Sequence, residues 1–575
     1  MRKTLPWLLA AGLLFSAASI PAPGGQAPAP ARAARRKKLI ASGWDKADSE
    51  RLRKNLRLME RRPFDGVVVT IRGRIDATKR CPLRRTFIDQ PWRREWFAPC
   101  IANLKACKFK RFTDNFLQVG ANPGDVDFFD DAGWNHVVDH WRIAAWAARQ
   151  SGFKGLLFDP EPYSPPHAQF RYAAQPQRDK HTFEQYAAQA RRRGREVMEA
   201  VTKEFPDLTI LCYFMNIVCS PAAAHPDPKP ALSAMGYGLY PAFIDGWLDA
   251  AGPGVKFVDG CEWAYRFNSV EEFLEAAVAI KGACQQLVSP ANRAKYRAQV
   301  QAGFGLYLDA YWNPKDSKWS AWYIDGKGGA RVERLRINTA TALRVSDEYV
   351  WFWGEKFRWW PTPHRGVDAK SWPEALPGCE KALRYARDPD AYGRAEMDRL
   401  RAAGRLANLA RNGDFGSAKV TEEGRGDIEW RPGRPPAGWG AWQEAGSKGT
   451  FAWDREVGSA GKGSARAAGV RNGCFIQSHA VKGGRRYAFR VVGKRTGAGR
   501  AWVRIRWKDA EGKWTAEAQD RLIHAAGAAG AWREVFGVVE VPPSAGVLVV
   551  LLGVAGQAGE GEAVWFDDVE LCEIE

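Results

Sequence analysis

Asp159 and Glu161 stand two residues apart at the end of a short apolar run, Gly155-Leu156-Leu157-Phe158, with Pro160 between them. In an extended chain alternate side chains leave on one side, so the two carboxyls are expected to emerge together. Pro160 stiffens the link by fixing its own φ. Two carboxyls that share a site raise the pKa of one of them, which keeps a proton donor available near neutral pH. One acid that protonates a leaving oxygen and one carboxylate that attacks or activates water is the equipment for opening a glycosidic bond. Glu161 is therefore the candidate general acid/base, and Asp159 the group that orients it and tunes its pKa.

Other apolar runs end in the same vocabulary of acids and tryptophans: Gly43-Trp44-Asp45, Arg72-Gly73-Arg74, Asp259-Gly260-Cys261-Glu262-Trp263, Asp309-Ala310-Tyr311-Trp312 and Trp353-Gly354-Glu355. Glu355 is the first candidate for the second carboxylate, with Asp309 and Glu262 next. Trp44, Trp263, Trp312 and Trp353 are candidates to stack on sugar faces, with Asp45, Tyr163 and Glu262 as polar contacts. Arg72 could take a hydroxyl or an anionic group. Other chemistries lack their residues. There are only eight histidines and no HExxH pattern, no GxSxG elbow and no phosphate-binding glycine loop. Zinc-finger spacing and RNP-like motifs are missing too, so nucleic acid is not an expected partner despite a net charge of +20. That charge suits an anionic glycan.

The elements that must hold these residues are short strands alternating with helices. Apolar, β-branched or aromatic runs at 38–42, 66–71, 115–119, 155–158, 208–214, 255–258, 303–308 and 349–353 read as strands buried on both faces. Helical periodicity covers 48–60, 134–150, 181–205, 270–287 and 330–346, with long insertions at 72–114 and 216–250 and a closing helix at 380–406. Eight such units over residues 38–408 predict an α/β (β/α)8 TIM barrel, which places a catalytic site at the C-terminal ends of the strands. From 409 to 575 the texture changes to short alternating strands at 474–478, 486–492, 501–507, 533–541, 546–553 and 563–573, which predicts an all-β jelly-roll sandwich.

Within the second part, Asn412-Gly413-Asp414-Phe415, Pro436-Ala437-Gly438-Trp439 and Val564-Trp565-Phe566-Asp567-Asp568-Val569-Glu570-Leu571 resemble the carbohydrate-binding modules with a galactose-binding-like fold. The resemblance implies two antiparallel sheets and a structural calcium, with Asp414 and Asp568 as the positions for it; no other cofactor is expected. Trp439, Trp442, Trp453 and Trp514 are candidate sugar platforms. In the first part, Lys154 to Glu161 resembles the fourth-strand motif of glycoside hydrolase family 18, where the Glu of Asp-x-Glu is the general acid. Leu157 stands where that family has an earlier acid. Phe158-Asp159-Pro160-Glu161-Pro162-Tyr163 is also similar to the Glu-Pro-Tyr segment of family 99 barrels. The whole barrel stretch resembles a group of secreted bacterial glycoside hydrolase-like proteins.

Met1-Arg2-Lys3, the apolar run 5–20 and the small residues that follow read as a signal peptide over 1–22; residues 23–37, rich in Pro, Ala and Gly, read as a disordered linker. The run is short and carries Pro6 and Ser16, so no membrane span is expected in the mature chain. Export would place a bacterial protein outside the cell or in the periplasm, where ten cysteines could pair or stay as buried thiols. The expected function is hydrolysis of a poly- or oligosaccharide; the alternative is a non-catalytic glycan-binding surface protein with an inactive barrel.

Overall fold

The computed structural model describes residues 37–163, 168–422, 426–525 and 527–574; the signal peptide 1–22 and nearly all of the linker lie outside them. Strands β1 Lys38–Ala41, β2 Gly66–Thr70, β3 Phe116–Gly120, β4 Gly155–Asp159, β5 Thr209–Cys212, β6 Lys256–Asp259, β7 Val300–Ala302, β8 Phe304–Tyr307 and β9 Tyr349–Trp353 form one parallel path, β7-β6-β5-β4-β3-β2-β1-β9-β8. The path is a nearly closed barrel, because its two ends, β7 and β8, are separated in the chain by Gly303 alone. Gly303 donates its N–H to the carbonyl of Asp259 at the end of β6 (2.8 Å), which carries the β6–β7 pairing up to the start of β8. The strands are short apolar runs because water reaches neither of their faces. β4, for example, is buried at all five positions.

Helices α1 Ser49–Met59, α2 Asp131–Gln150, α3 Phe183–Glu204, α4 Tyr240–Ala250, α5 Val270–Lys281 and α6 Arg331–Val345 make the crossovers. Side-chain caps start several of them: Asp48 accepts from the N–H groups of Glu50 and Arg51, and Thr182 with Gln185 forms a capping box. The long insertion at 216–250 contains α4, which periodicity did not mark. It is apolar around most of its circumference, as a helix covered on several sides must be. α3 and α4 approach closely at Gly194 and Gly246, where a Cβ would meet Phe243 O and Arg191 O at 2.0 Å. The expected closing helix at 380–406 is two helices, α7 Cys379–Arg387 and α8 Pro389–Ala402. The break falls at Pro389, which has no N–H to continue α7, and the Asp388 side chain caps Ala391 instead.

Beyond residue 412 all strands are antiparallel. Gly440–Gln443, Asn472–Ala480, Ala545–Ala555, Arg500–Asp509 and Arg521–His524 form one five-stranded sheet in that spatial order. Thr450–Asp454, Ser464–Ala468, Ala563–Glu573, Arg486–Arg495 and Arg533–Glu540 form another. Alternate residues of both sheets share one buried cluster around Phe475, Phe489, Trp507, Leu552 and Phe566. Lys419–Glu422 and Gly426–Glu429 add a small hairpin.

Four charged groups tie α6 to these sheets. Arg336 and Arg486, both buried, meet Glu333 and Glu540: Arg486 to Glu333 at 2.6 Å and Arg336 to Glu540 at 2.8 Å. Both guanidinium groups also lie over the ring of Tyr385, at 5.2 and 4.7 Å. The glutamates are part-exposed, which screens the pairs. Arg486→Met is expected to cost about 1–3 kcal/mol, read as a lower urea midpoint at unchanged slope.

All ten cysteines are unpaired and nine are buried, so of the two sequence options the structure takes the buried thiols. No helix among the described residues is long and apolar enough to cross a membrane.

Candidate functional site

A cleft of about 730 Å³ opens at the C-terminal ends of the barrel strands. Four acids line it: three at different strand ends, Glu161 after β4, Glu262 after β6 and Glu355 after β9, and Glu272 from the first turn of α5. Each strand-end acid is held by a different device. The Glu161 backbone N–H donates to Asp159 Oδ1 (3.1 Å), and the Tyr163 hydroxyl donates to Glu161 Oε2. Glu262 follows Cys261, a non-glycine residue in the left-handed region at φ +41°. That turn is secured by Asp259, fully buried, which accepts from Cys261 N, Met215 N and Ile217 N. Strain of this kind persists where surrounding contacts over-determine it. Glu355 accepts from Trp353 Nε1 at 2.9 Å.

The fully buried Asp309 lies beneath this layer. Its carboxylate accepts from the N–H groups of Glu355 (2.8 Å) and Lys356 (3.2 Å), so it fixes the chain that presents Glu355. Asp159 is also buried, below Glu161. Between Asp159 and Glu355 sits Lys46, a residue the sequence did not single out; its Nζ donates to Gly43 O and lies 4.3 Å over the Trp353 ring.

The electrostatics follow from crowding acids in a poorly hydrated space. Burial, then Glu161 and Asp159, push the Glu262 carboxyl up to about 9. Burial pushes Glu161 up as well, and Glu355 adds to it, while the Tyr163 hydrogen bond works the other way. Burial and Glu161 raise Asp159 to about 7 against the pull of Lys46 and Arg84. Burial lowers Lys46 to about 7, opposed by Asp159 and Glu355.

The walls are aromatic. Tyr213 stacks on Trp351 (4.5 Å between centroids), meets Trp353 edge-on (5.3 Å) and shares a hydrogen bond with Ser42 (2.8 Å). Tyr265 stacks on Tyr307 (5.2 Å), and Trp322 stands edge-on to both. Trp263 and Trp319, both substantially exposed, and Phe267 complete the lining.

Of the residues expected at the site, the structure brings together Glu161, Tyr163, Glu262, Trp263, Trp353 and Glu355. It places Asp159 and Asp309 directly behind them. Trp44, Asp45, Arg72 and Trp312 lie outside the lining. Asp45 is spent on structure: it accepts from Trp359 N (2.7 Å) and Trp360 N (3.1 Å) and pairs with Arg51 (2.7 Å). Arg72 sits in an exposed hairpin with Arg80–Pro82, and Trp312 packs against Phe357 with Lys356 4.7 Å over it. Tyr213, Tyr265, Arg266, Tyr307, Trp319 and Trp322 were not foreseen. Tyr213 and Tyr307 follow or end a strand and were open to the same strand-end reasoning; Trp319 and Trp322 come from a loop without periodicity.

In the antiparallel part, Trp439 is buried and donates from Nε1 to Arg411 O (3.1 Å), and Trp453 donates to Phe415 O (2.7 Å). Trp442 and Trp514 are about half exposed. Trp442 pairs with Cys474, Cys474 with Gly553, and Gly553 with Trp502, so these residues form one cross-strand row on one sheet face. Asp414 and Asp568 line one depression together with Asn412 and Arg490. They offer oxygen donors of the kind calcium takes, although among the described residues no three acidic, His or Cys side chains gather in a metal-sized group.

No protein-family profile matches the chain, and no curated protein matches it. Solved structures give partial likenesses, mostly to carbohydrate-binding modules and glycoside hydrolase-related chains. The enzymatically active domain of bacteriophage CBA120 tailspike protein 4 is 16% identical over 29% of this chain, with a TM-score of 0.23. Modules of a Clostridium thermocellum endo-1,4-β-D-xylanase complexed with xylohexaose are 16% identical over 24%, with a TM-score of 0.19. The match spans only 21% of the first structure and 26% of the second. A family 22 xylan-binding domain is 12% identical over 29% of this chain and 95% of its own length, with a TM-score of 0.20.

Proposed function

We propose that the chain is an exported glycoside hydrolase: a (β/α)8 barrel that cleaves a poly- or oligosaccharide, followed by a jelly-roll carbohydrate-binding module. The observation that carries this reading is the convergence of Glu161, Glu262 and Glu355 in one tyrosine- and tryptophan-walled cleft. Glycosidic cleavage needs a carboxylic acid still protonated near neutral pH and a second carboxyl that is ionised. Burial, with Glu355 adding to it, shifts Glu161 toward the first condition. The second carboxyl is Glu355, which accepts the Trp353 indole N–H and faces Glu161 in the same cleft.

In this reading Glu161 gives its proton to the glycosidic oxygen as the bond to the anomeric carbon breaks, and Glu355 is the nucleophile or base. Glu262, held near 9, releases its proton too reluctantly to cycle at neutral pH; it donates a hydrogen bond to the sugar. Asp159 and Asp309 are positioning residues. The stacked Tyr265 and Tyr307 and the Trp263 and Trp319 rings receive the apolar faces of the sugar. The Trp442–Trp502 face is the proposed platform of the module. A calcium ion at Asp414 and Asp568 belongs to the same proposal: chelation is expected to lower Tm, and calcium to restore it.

The test is reducing-sugar release from a panel of plant, fungal and bacterial polysaccharides, with Glu161→Gln as the control. Release by wild type alone supports the assignment. Equal release by both proteins would remove Glu161 from it, and retained glycan binding without any release would favour the non-catalytic alternative.

A further inference from the structure

Arg266 lines the cleft yet, among the described residues, has neither a carboxylate partner nor a hydrogen bond; its guanidinium lies 4.4 Å over the Trp322 ring. In a chain whose arginines mostly meet an acid or a carbonyl, an uncommitted guanidinium in a cleft with four glutamates is a specific placement. It is not isolated. Lys318 and Lys356 lie 5.2 and 5.4 Å over Trp319, and Arg331 lies 4.9 Å over Tyr323. Two rings that line the cleft, Trp322 and Trp319, thus each carry cations on a face, while Glu161, Glu262 and Glu355 sit at the strand ends. An arginine resting on an indole uses the face of its planar group and keeps its N–H edge for a ligand, where a carboxylate fits bidentately.

We propose that Arg266 and Trp322 form a subsite for the anionic group of an acidic sugar, the ring stacking on the aromatic wall and the anion meeting the guanidinium. This rests on the glycan reading above and narrows its substrate class. The acids do not forbid it. Burial keeps protons on Glu262 and favours them on Glu161, which reduces the negative charge an incoming anion meets.

The experiment measures Kd by intrinsic tryptophan fluorescence for matched probes. Oligogalacturonides are compared with their methyl esters, glucuronoxylan oligosaccharides with unsubstituted xylo-oligosaccharides, and chondroitin sulfate oligosaccharides with unsulfated chondroitin. The proteins are wild type, Arg266→Ala, Arg266→Lys and, as a remote control, Arg72→Ala. The expected result is that at least one acidic probe binds about tenfold or more tightly than its matched partner, which is uncharged in the first two pairs and carries carboxylates alone in the third. That preference should be lost in Arg266→Ala, partly kept in Arg266→Lys, unchanged in Arg72→Ala and weakened by salt. The sulfated pair decides between carboxylate and sulfate. Neutral and acidic probes bound equally, with Arg266→Ala like wild type, would overturn the subsite and leave the glycan reading standing. Binding of no probe by any protein, together with no release from the polysaccharide panel, would overturn both. Arg266 carries no packing-critical contact, and an unchanged Tm in Arg266→Ala separates lost binding from lost folding.

Discussion

Glu161→Gln is expected to lower kcat/KM on a natural glycan by about 10²–10⁴-fold, the range a positioned proton donor contributes. It should cost far less on an aryl glycoside whose phenolate leaves without protonation. Gln keeps the size of the side chain and its hydrogen bond with Tyr163 but has no proton to give. Glu355→Gln should fail on both substrates, because attack at the anomeric carbon, or activation of water, is needed whatever the leaving group. The contrast follows from placement. Burial, with Glu355 adding to it, pushes the Glu161 carboxyl up and outweighs the Tyr163 hydrogen bond, which favours the ionised form. Glu355 receives the Trp353 N–H, and Asp309 holds the backbone N–H groups of residues 355 and 356 that present it to the cleft. If Glu161→Gln lost activity equally on both substrates while Glu355→Gln spared the aryl glycoside, the roles would be reversed.

The barrel strands were legible because a strand buried on both faces must be a continuous apolar run, and β4 and β9 are little else. Once the strands were set, their C-terminal ends located Glu161, Glu262 and Glu355. A strand end fixes a position on the barrel and leaves the side-chain direction open. Trp44 follows Gly43 at φ +121°, so the chain turns there before the indole can reach the cleft. Asp309 lies in the short turn Leu308–Tyr311, which sends its carboxylate inward to the backbone of residues 355 and 356. Arg72 is carried off in a hairpin. The residues that periodicity missed have the complementary cause. Trp319, Trp322 and Arg266 come from loop or 3-10 segments, where no repeat marks the inward face. Lys46 reads as a solvated lysine until the fold wraps Asp159, Trp353 and Glu355 around it. Helix α4 was hidden because an apolar segment with proline at its second position carries no amphipathic stripe. Among the antiparallel strands, Gly440–Gln443 and Arg521–His524 were missed because edge strands are short and exposed, with no buried alternation to read.

Glu262→Gln is expected to stabilise the protein, increasingly so as pH rises. A carboxyl whose folded pKa lies above its unfolded value binds its proton more tightly in the folded state. The stability it contributes is complete below the unfolded pKa, near 4.5, and is lost as pH rises through about 9. Wild type therefore loses stability from this group across neutral and mildly alkaline pH. Each pH unit within that window removes at most about 1.4 kcal/mol, and screening and rearrangement take the real slope well below that bound. Gln is neutral and nearly isosteric, so the variant escapes the loss. Its Tm should equal that of wild type near pH 4.5 and exceed it by several degrees at pH 8, with a gap that widens steadily. Asp159, raised to about 7 by burial and Glu161, adds the same sign at lower pH, so wild type should be most stable on the acid side of neutrality. The amide can still donate a hydrogen bond to a sugar, so activity at neutral pH should fall much less than in Glu161→Gln. The alkaline limb of the pH–rate profile should not move upward, since removing a like charge can only lower the pKa of the Glu161 proton donor. Parallel Tm curves for the two proteins from pH 4.5 to 9 would mean that Glu262 titrates as an ordinary solvated acid. The electrostatic strain attributed to the cleft, and with it the proton kept on Glu161, would then lose its physical basis.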